Sequence, residues 1–333
     1  MMDFSYIDTV CSDFHKGTVE SFSLLREIEE NTIITVIIQK EKYILKFYHD
    51  RYTTANGLQK QGELSLYLKA SGLPFAARFP TKDGKYYGET LYEGKKSFVT
   101  LEEYMDGDPI SAVTLEDTYE IGRLLGIQHK ACEESGIDFG HGTSWSMFGG
   151  NETNQFGDYD ENELCFRELM EALAGAQYTH KLLSAITQQY QLLREEIASI
   201  WHELPKGPVQ GDFCPYNMAK RNGRITGIFD YNLAGDEVLI NECCGVAVYL
   251  AFSHEKVAGN EQSHLRVFLE AYRQERNISV LEEKMISPLI RVIRPFRYDR
   301  VESIVRLIEE GKEAAVLQHL DETLKMMNHH YTL

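Results

Sequence analysis

Residues 209–231 read Val209-Gln-Gly-Asp-Phe-Cys-Pro-Tyr-Asn217-Met-Ala-Lys-Arg-Asn-Gly-Arg-Ile-Thr-Gly-Ile-Phe-Asp230-Tyr231. Within this stretch Asp212 is followed five positions later by Asn217, and Asp230 comes thirteen positions after that. Met218 and Ala219 begin an apolar run, Arg221-Asn222-Gly223-Arg224 interrupts it, and Ile225 to Phe229 resume it. Asn-Gly between two β-prone runs is a strong hairpin signal, because both central residues tolerate positive φ. Closing that hairpin brings Asn217, just before the first strand, near Asp230, just after the second. A carboxylate and an amide oxygen side by side suit Mg²⁺, which takes oxygen ligands and usually fills its remaining positions with water and substrate phosphates. Asp212 sits in the preceding loop, stiffened by Pro215, where it is placed to accept a proton from an incoming hydroxyl.

A catalytic-loop Asp, an Asn five residues on and a second metal-binding Asp after a hairpin are the parts that kinase-type phosphoryl transfer requires. The segment resembles the aminoglycoside phosphotransferase/choline kinase group of small-molecule kinases. Their motif runs H-G-D-x-x-x-x-N, then a turn, then two apolar residues and Asp followed by an aromatic. The matching residues are Gly211, Asp212, Asn217, Ile228-Phe229-Asp230 and Tyr231, while Gln210 stands where the motif has His. The resemblance implies an α+β, bilobal, protein-kinase-like fold with a small β-rich N-lobe over residues 1–104 and a larger helical C-lobe over 105–333. It implies Mg²⁺ and a nucleoside triphosphate, ATP or GTP, lying between the lobes.

The other parts follow in kinase order. Tyr43-Ile44-Leu45-Lys46-Phe47-Tyr48 is a β-rich run with a single Lys, the place for a lysine that contacts phosphates. Leu58 to Leu68 read as a helix, and Glu63 in it is the residue expected to pair with Lys46. Ser97 to Leu101 read as a strand that runs into Glu102-Glu103-Tyr104-Met105-Asp106-Gly107-Asp108-Pro109. The resemblance makes this break the hinge, with the backbone of Glu103, Tyr104 and Met105 meeting the adenine edge. His129, in the helix after it, is expected to be structural. Between the first two strands, Phe22–Ile28 and Thr32–Ile38, lies only Glu29-Glu30-Asn31, with no glycine to let backbone amides approach phosphate.

Composition is compatible with this and excludes other classes. A net charge of −17, from 51 acidic and 34 basic residues, argues against a nucleic-acid or anionic-membrane partner; it fits a cationic substrate or simply an ordinary acidic protein of the cytosol. The apolar run from Cys243 to Phe252 is too short to span a bilayer. No secretory leader is visible, and six cysteines without C-x-x-C spacing look like reduced thiols, so a cytoplasmic location is expected; a monomer or a homodimer fits equally.

Periodicity places one helix near 57–70 in an otherwise strand-rich first third, with Thr81–Lys85 marking a hairpin turn, and helices dominate from 110 onward. Thr114 with Asp117 marks a capped helix start, and Ser135-Gly136 its end. A stripe from Leu182 to Leu204 is core, and further helices fit 261–275, 299–310 and 313–327. Residues 151–163 are polar and acidic, either a lip over a cationic acceptor or a solvated loop. Arg291, Arg294, Arg297 and Arg300 are either an anion site or partners of surface acids.

The reading is a small-molecule kinase that moves a γ-phosphoryl group to a hydroxyl of an aminoglycoside-like, amino-alcohol, homoserine or sugar acceptor. Lys46 would sit on the phosphates, Asn217 and Asp230 on the metal, and Asp212 on the acceptor. The alternative is a catalytically impaired kinase-fold scaffold, motivated by Gln210 and the glycine-free loop.

Overall fold

The computed structural model describes residues 4–143, 146–148, 160–174, 180–253 and 261–332. In chain order it begins α1 (Phe4–Ser12), β1 (Val19–Glu27), β2 (Asn31–Ile38), β3 (Glu41–Tyr48), α2 (Ala55–Ala70), β4 (Gly88–Tyr92), β5 (Lys95–Glu103) and β6 (Asp108–Pro109). Then come α3 (Leu115–Glu134), α4 (Glu161–Ala174), α5 (His180–Ala198), β7 (Lys206–Val209), β8 (Met218–Arg221), β9 (Arg224–Ile228) and β10 (Gly235–Val238). The chain closes with α6 (Leu239–Phe252), α7 (Glu261–Glu275), α8 (Val280–Ile293), α9 (Tyr298–Glu309) and α10 (Glu313–Asn328).

Contacts divide the chain into two compact units, the first made of residues 1–110, 134–139 and 215–231 and the second of 111–133, 140–214 and 232–333. The first is built on an antiparallel sheet of order β1-β2-β3-β5-β4. Alternation along its strands gives the two faces different tasks. Ile34, Val36, Leu45, Phe47, Val99 and Leu101 form one core with Ile7, Val10, Cys11 and Phe14. The opposite face carries Lys46, paired across strands with Ile33 on β2 and Thr100 on β5. The β1–β2 connection closes with the Ile28 N–H on the Asn31 carbonyl at 3.0 Å, and the His49 N–H caps Glu30 at 2.8 Å. No residue from 27 to 31 takes a positive φ, so this turn needs no glycine.

The second hairpin forms where Asn-Gly predicted it. Asn222 at φ 51° and Gly223 at φ 80° turn β8 back onto β9, with Arg221 opposite Arg224 and Met218 opposite Ile228. β6 adds to the β8 edge through Asp108 and Pro109. Residues 81–85 do turn, with the Thr81 N–H on the Lys85 carbonyl, but they precede β4; the hairpin there is β4–β5.

In the second unit α3 begins as expected: the Asp117 N–H meets Thr114 Oγ1 at 3.2 Å, and the Thr114 N–H meets Asp117 Oδ2 at 3.0 Å. α7, α9 and α10 also fall where periodicity placed them. Short α1 and Pro288-containing α8 were not expected from the sequence. Among the described residues no helix is long and apolar enough to cross a membrane, and the six cysteines form no disulfide. Residues 151–159 of the expected acidic lip lie outside the described residues; Asp160, Glu161 and Asn162 are buried at the head of α4. Members of the arginine series have internal partners: Arg291 donates to the Met327 carbonyl, Arg297 to Asp299, and Arg300 to the His319 carbonyl.

The β7–β10 ladder pairs Gly207 with Glu237, whose carboxylate is buried and accepts from Thr143 Oγ1 and the Val238 N–H. Burial raises the Glu237 pKa to about 7, against the opposing hydrogen bonds from Ser146, Val238 and Asn241. Because the folded value lies above the unfolded one, the protonated form favours the fold. This contribution is fully present below about pH 4.5 and is lost as pH rises through about 7, a change of roughly 3 kcal/mol at about 1.4 kcal/mol per unit. Glu237→Gln is therefore expected to flatten the fall in melting temperature between pH 5 and pH 8. An unchanged slope in thermal melts would reject this assignment.

Candidate active site

Lys46 lies on the face of the first unit's sheet opposite its core, only 4 % exposed, and its Nζ lies 3.2 Å from Asp230 Oδ1. Burial by itself would lower the Lys46 pKa, but Asp230, Tyr48 and Glu102 outweigh it and hold the pKa above the ordinary lysine value. Asp230 follows β9 in a left-handed conformation, φ 69°, which is uncommon outside glycine. Such strain is typical of side chains aimed for function. Asn217 ends the short Pro215–Asn217 turn and is 9 % exposed. Its carbonyl accepts the Phe229 N–H at 3.0 Å, so the backbone of Asn217 lies beside the residue that precedes Asp230. The hairpin thus presents Asn217 and Asp230, and β3 presents Lys46, within one unit. Among the described residues no group of three or more His, Cys, Asp or Glu is arranged to hold a metal. One carboxylate and one amide oxygen suit a hard cation whose other ligands are phosphates and water, and a poor fit to zinc.

Glu63 is not brought to Lys46. Its carboxylate bonds Gln59 at 3.2 Å and Lys60 at 3.2 Å on its own helix. The reason is helix phase: Leu58, Gln61, Leu64, Ser65 and Leu68 are the buried positions of α2, and Glu63 falls on its flank. The polar residue facing inward is Gln61, which receives Arg78 Nη1 at 2.8 Å. Arg78 is fully buried and also binds Glu102 Oε1 at 2.8 Å and Tyr48 Oη at 3.0 Å. Tyr48 and Glu102 are the same groups that help keep Lys46 charged. This Arg78–Glu102 network was not anticipated; its only trace in the sequence is one Arg inside the short apolar run Leu73–Phe79.

The Glu103 N–H is committed to the Ala77 carbonyl at 3.0 Å, and its carboxylate pairs with Lys69. That amide is therefore engaged within the first unit, just ahead of Tyr104 and Met105 in the segment expected to form the hinge. Met105 is seated against Gly227 of β9, where an added Cβ would lie 2.4 Å from the Met105 Cβ. Gly227→Ala must push the hinge residue away. The expected cost is about 1–3 kcal/mol of stability, with a raised nucleotide KM. Wild-type melting and KM in this variant would contradict the seating of Met105.

Asp212 belongs to the second unit, at the end of β7. Gly211 takes φ +84°, and a Cβ there would lie 2.4 Å from the Leu233 carbonyl oxygen, so only glycine fits. The Asp212 N–H donates to Gln210 Oε1 at 2.9 Å, and the Asp212 carbonyl accepts the Cys214 N–H at 2.8 Å. The Gly211 N–H donates to Glu242 Oε1 at 3.3 Å. Glu242 Oε2 lies 2.6 Å from His129 Nε2, and His129 Nδ1 lies 2.8 Å from Tyr272 Oη. His129 is fully buried and satisfied on both ring nitrogens, the structural role expected of it.

The family model of the phosphotransferase enzyme family (APH) matches residues 24–247. The chain belongs to this family: it is a phosphotransferase of the small-molecule kinase type that acts on hydroxyl groups. Solved structures share the α+β, kinase-like fold. An amicoumacin kinase in complex with AMP-PNP, Ca²⁺ and Ami is 15 % identical, with 97 % of this chain and 94 % of that chain covered and a TM-score of 0.64. A microcompartment-associated aminopropanol kinase is 13 % identical, covering 98 % and 94 %, with a TM-score of 0.61. The GDP and kanamycin complex of APH(2″)-IIia is 13 % identical, covering 98 % of each chain, with a TM-score of 0.52. No curated protein matches the chain.

Proposed function

We propose that this enzyme transfers the γ-phosphoryl group of ATP or GTP to a hydroxyl of a small amine-bearing acceptor: an amino alcohol, an aminoglycoside or homoserine, with sugars as the further class. The observation that supports it best is the Lys46–Asp230 pair at 3.2 Å, which joins β3 to the end of the hairpin that the buried Asn217 precedes. In this reading Lys46 holds the donor phosphates, the backbone of Glu103, Tyr104 and Met105 meets the base, and Asn217 and Asp230 are the protein's ligands to Mg²⁺. The metal, when bound, neutralises charge on the phosphates. Asp212 orients the acceptor hydroxyl and takes its proton. The Gln210, Glu242 and Cys214 contacts fix the loop that presents this carboxylate, so that much of the acceleration comes from positioning.

A net charge of −17 favours a cationic acceptor, and the structural relatives include an aminopropanol kinase. The glycine-free β1–β2 turn weakens the case for a tightly held triphosphate, and both nucleotides therefore need testing. Titration of thermal stability with MgATP and MgGTP is the first experiment. At a hundredfold excess over Kd, the nucleotide that binds should add about 2.7 kcal/mol. No stabilisation by either nucleotide would sink the proposal and favour a kinase-fold scaffold. Nucleotide turnover across choline, aminopropanol, homoserine, aminoglycosides and reducing sugars then identifies the acceptor.

A further inference from the structure

We infer that Arg78 is a positioning residue for the donor site, holding the Tyr48 ring against Lys46 and tying it to helix α2; the inference rests on the roles proposed above for Lys46 and Asp230. Arg78 is fully buried, and its guanidinium donates to three side chains: Nη2 to Tyr48 Oη at 3.0 Å, Nε to Glu102 Oε1 at 2.8 Å and Nη1 to Gln61 Oε1 at 2.8 Å. A planar, rigid fork met on several sides fixes the groups it meets. Tyr48 lies two residues along β3 from Lys46, on the same face of the sheet, and its ring centre is 5.3 Å from Lys46 Nζ. The guanidinium carbon also stands 5.7 Å from the ring centre of Tyr231, the residue after Asp230. Arg78 thus meets a chain neighbour of each member of the Lys46–Asp230 pair.

The backbone around Arg78 joins the same two places. On one side the Ala76 N–H meets the Ile228 carbonyl and the Ile228 N–H meets the Pro74 carbonyl, both at 2.8 Å. On the other the Phe79 N–H meets the Leu101 carbonyl at 2.8 Å and the Glu103 N–H meets the Ala77 carbonyl at 3.0 Å. Residues 74–79 therefore connect β9, which leads to Asp230, with β5, which pairs with the Lys46 strand. Protein kinases also register this lysine against a helix, through a helix glutamate. Glu63 does not do so here, since its carboxylate bonds Gln59 and Lys60. Arg78 makes the link instead: beyond Gln61, its N–H donates to Ser65 Oγ at 3.1 Å and its Nη1 to the Leu58 carbonyl at 3.4 Å, both on α2. Removing the guanidinium has two separable effects. Glu102 becomes a buried carboxylate without its cation, which costs stability. Tyr48 loses its Oη anchor, so its ring and the Lys46 ammonium shift together, which costs donor binding.

The test uses the full chain with MgATP and MgGTP, reading nucleotide affinity from thermal-shift titration and KM from turnover with the acceptor panel. Arg78→Met should lower the melting temperature, and adding Glu102→Gln should restore most of it, because the stranded charge is gone. Nucleotide affinity should not return: the double variant is expected to bind roughly 2- to 30-fold more weakly, the range for a residue that acts on a site without touching its ligand. Tyr48→Phe keeps the ring and removes only the anchor, so it should fold normally and weaken nucleotide binding within the same range. In a Lys46→Met background Tyr48→Phe should have no further effect on affinity, because it acts through that lysine. Wild-type affinity in both Tyr48→Phe and the double variant, or an equal loss from Tyr48→Phe with and without Lys46, would overturn the inference and leave Arg78 a purely structural residue. If neither nucleotide stabilises the wild-type chain, the donor roles of Lys46 and Asp230 fail and that of Arg78 falls with them. Unchanged affinity in these variants beside a wild type that binds nucleotide rejects Arg78 alone.

Discussion

Asp212→Ala should lower acceptor-dependent kcat by roughly 10²–10⁴-fold, the range expected when a positioned general base is removed. Nucleotide-induced stabilisation should survive, because the groups proposed to hold the donor are Lys46, Asn217 and Asp230. The backbone of the loop should survive as well, because hydrogen bonds run from the Asp212 peptide and the Gly211 N–H to Gln210 and Glu242. The pattern to look for is lost kcat with nucleotide KM and melting temperature near wild type. Full activity in the alanine variant would remove Asp212 from the mechanism.

Asp230→Ala should fail in two separable ways. Activity is lost because a proposed metal ligand is gone. Stability is lost because Lys46, with its side chain 5 % exposed, keeps a buried charge without the carboxylate 3.2 Å away. The Asp230 side chain is 33 % exposed, so solvent screens part of this pair and the loss falls short of a fully buried case. About 1.5–3 kcal/mol is expected, the range for a hydrogen bond to a charged group. Adding Lys46→Met should return much of the stability, since the stranded charge is removed, and none of the activity. Chemical denaturation of the two single variants and the double variant measures this coupling. Additive losses in the double variant would show that the pair does not hold Lys46.

The hairpin was legible because Asn222-Gly223 between apolar runs leaves little choice of conformation, and it sets Asn217 and the residues before Asp230 side by side. The α3 start was legible for a similar local reason, a reciprocal Thr114–Asp117 cap. Glu63 was not placed correctly, because the phase of α2 was read from its apolar residues, while the side chain it turns inward is the polar Gln61. That choice depends on Arg78, a residue remote in sequence whose buried charge needs Gln61, Glu102 and Tyr48 together. α1 is nine residues long and would be marginal alone; burial of Ile7, Val10 and Cys11 sustains it. In α8, Pro288 reads as a breaker, yet the helix runs through it with Met285, Ile286, Leu289 and Ile290 buried around it. The support behind Gly211 was hidden because Glu242 lies in an apolar stretch whose acid reads as an exception until His129 is seen against it.

In the proposed reaction a γ-phosphoryl group moves onto a hydroxyl with Asp212 as base. It is tested most directly by incubating the wild-type and Asp212→Ala chains with γ-labelled MgATP and MgGTP and the acceptor panel, and following the label. Label is expected on one acceptor as a phosphate monoester with the wild-type chain, and at least about a hundredfold less in the same time with Asp212→Ala. Label on no acceptor with either nucleotide, or equal labelling by both chains, would contradict it.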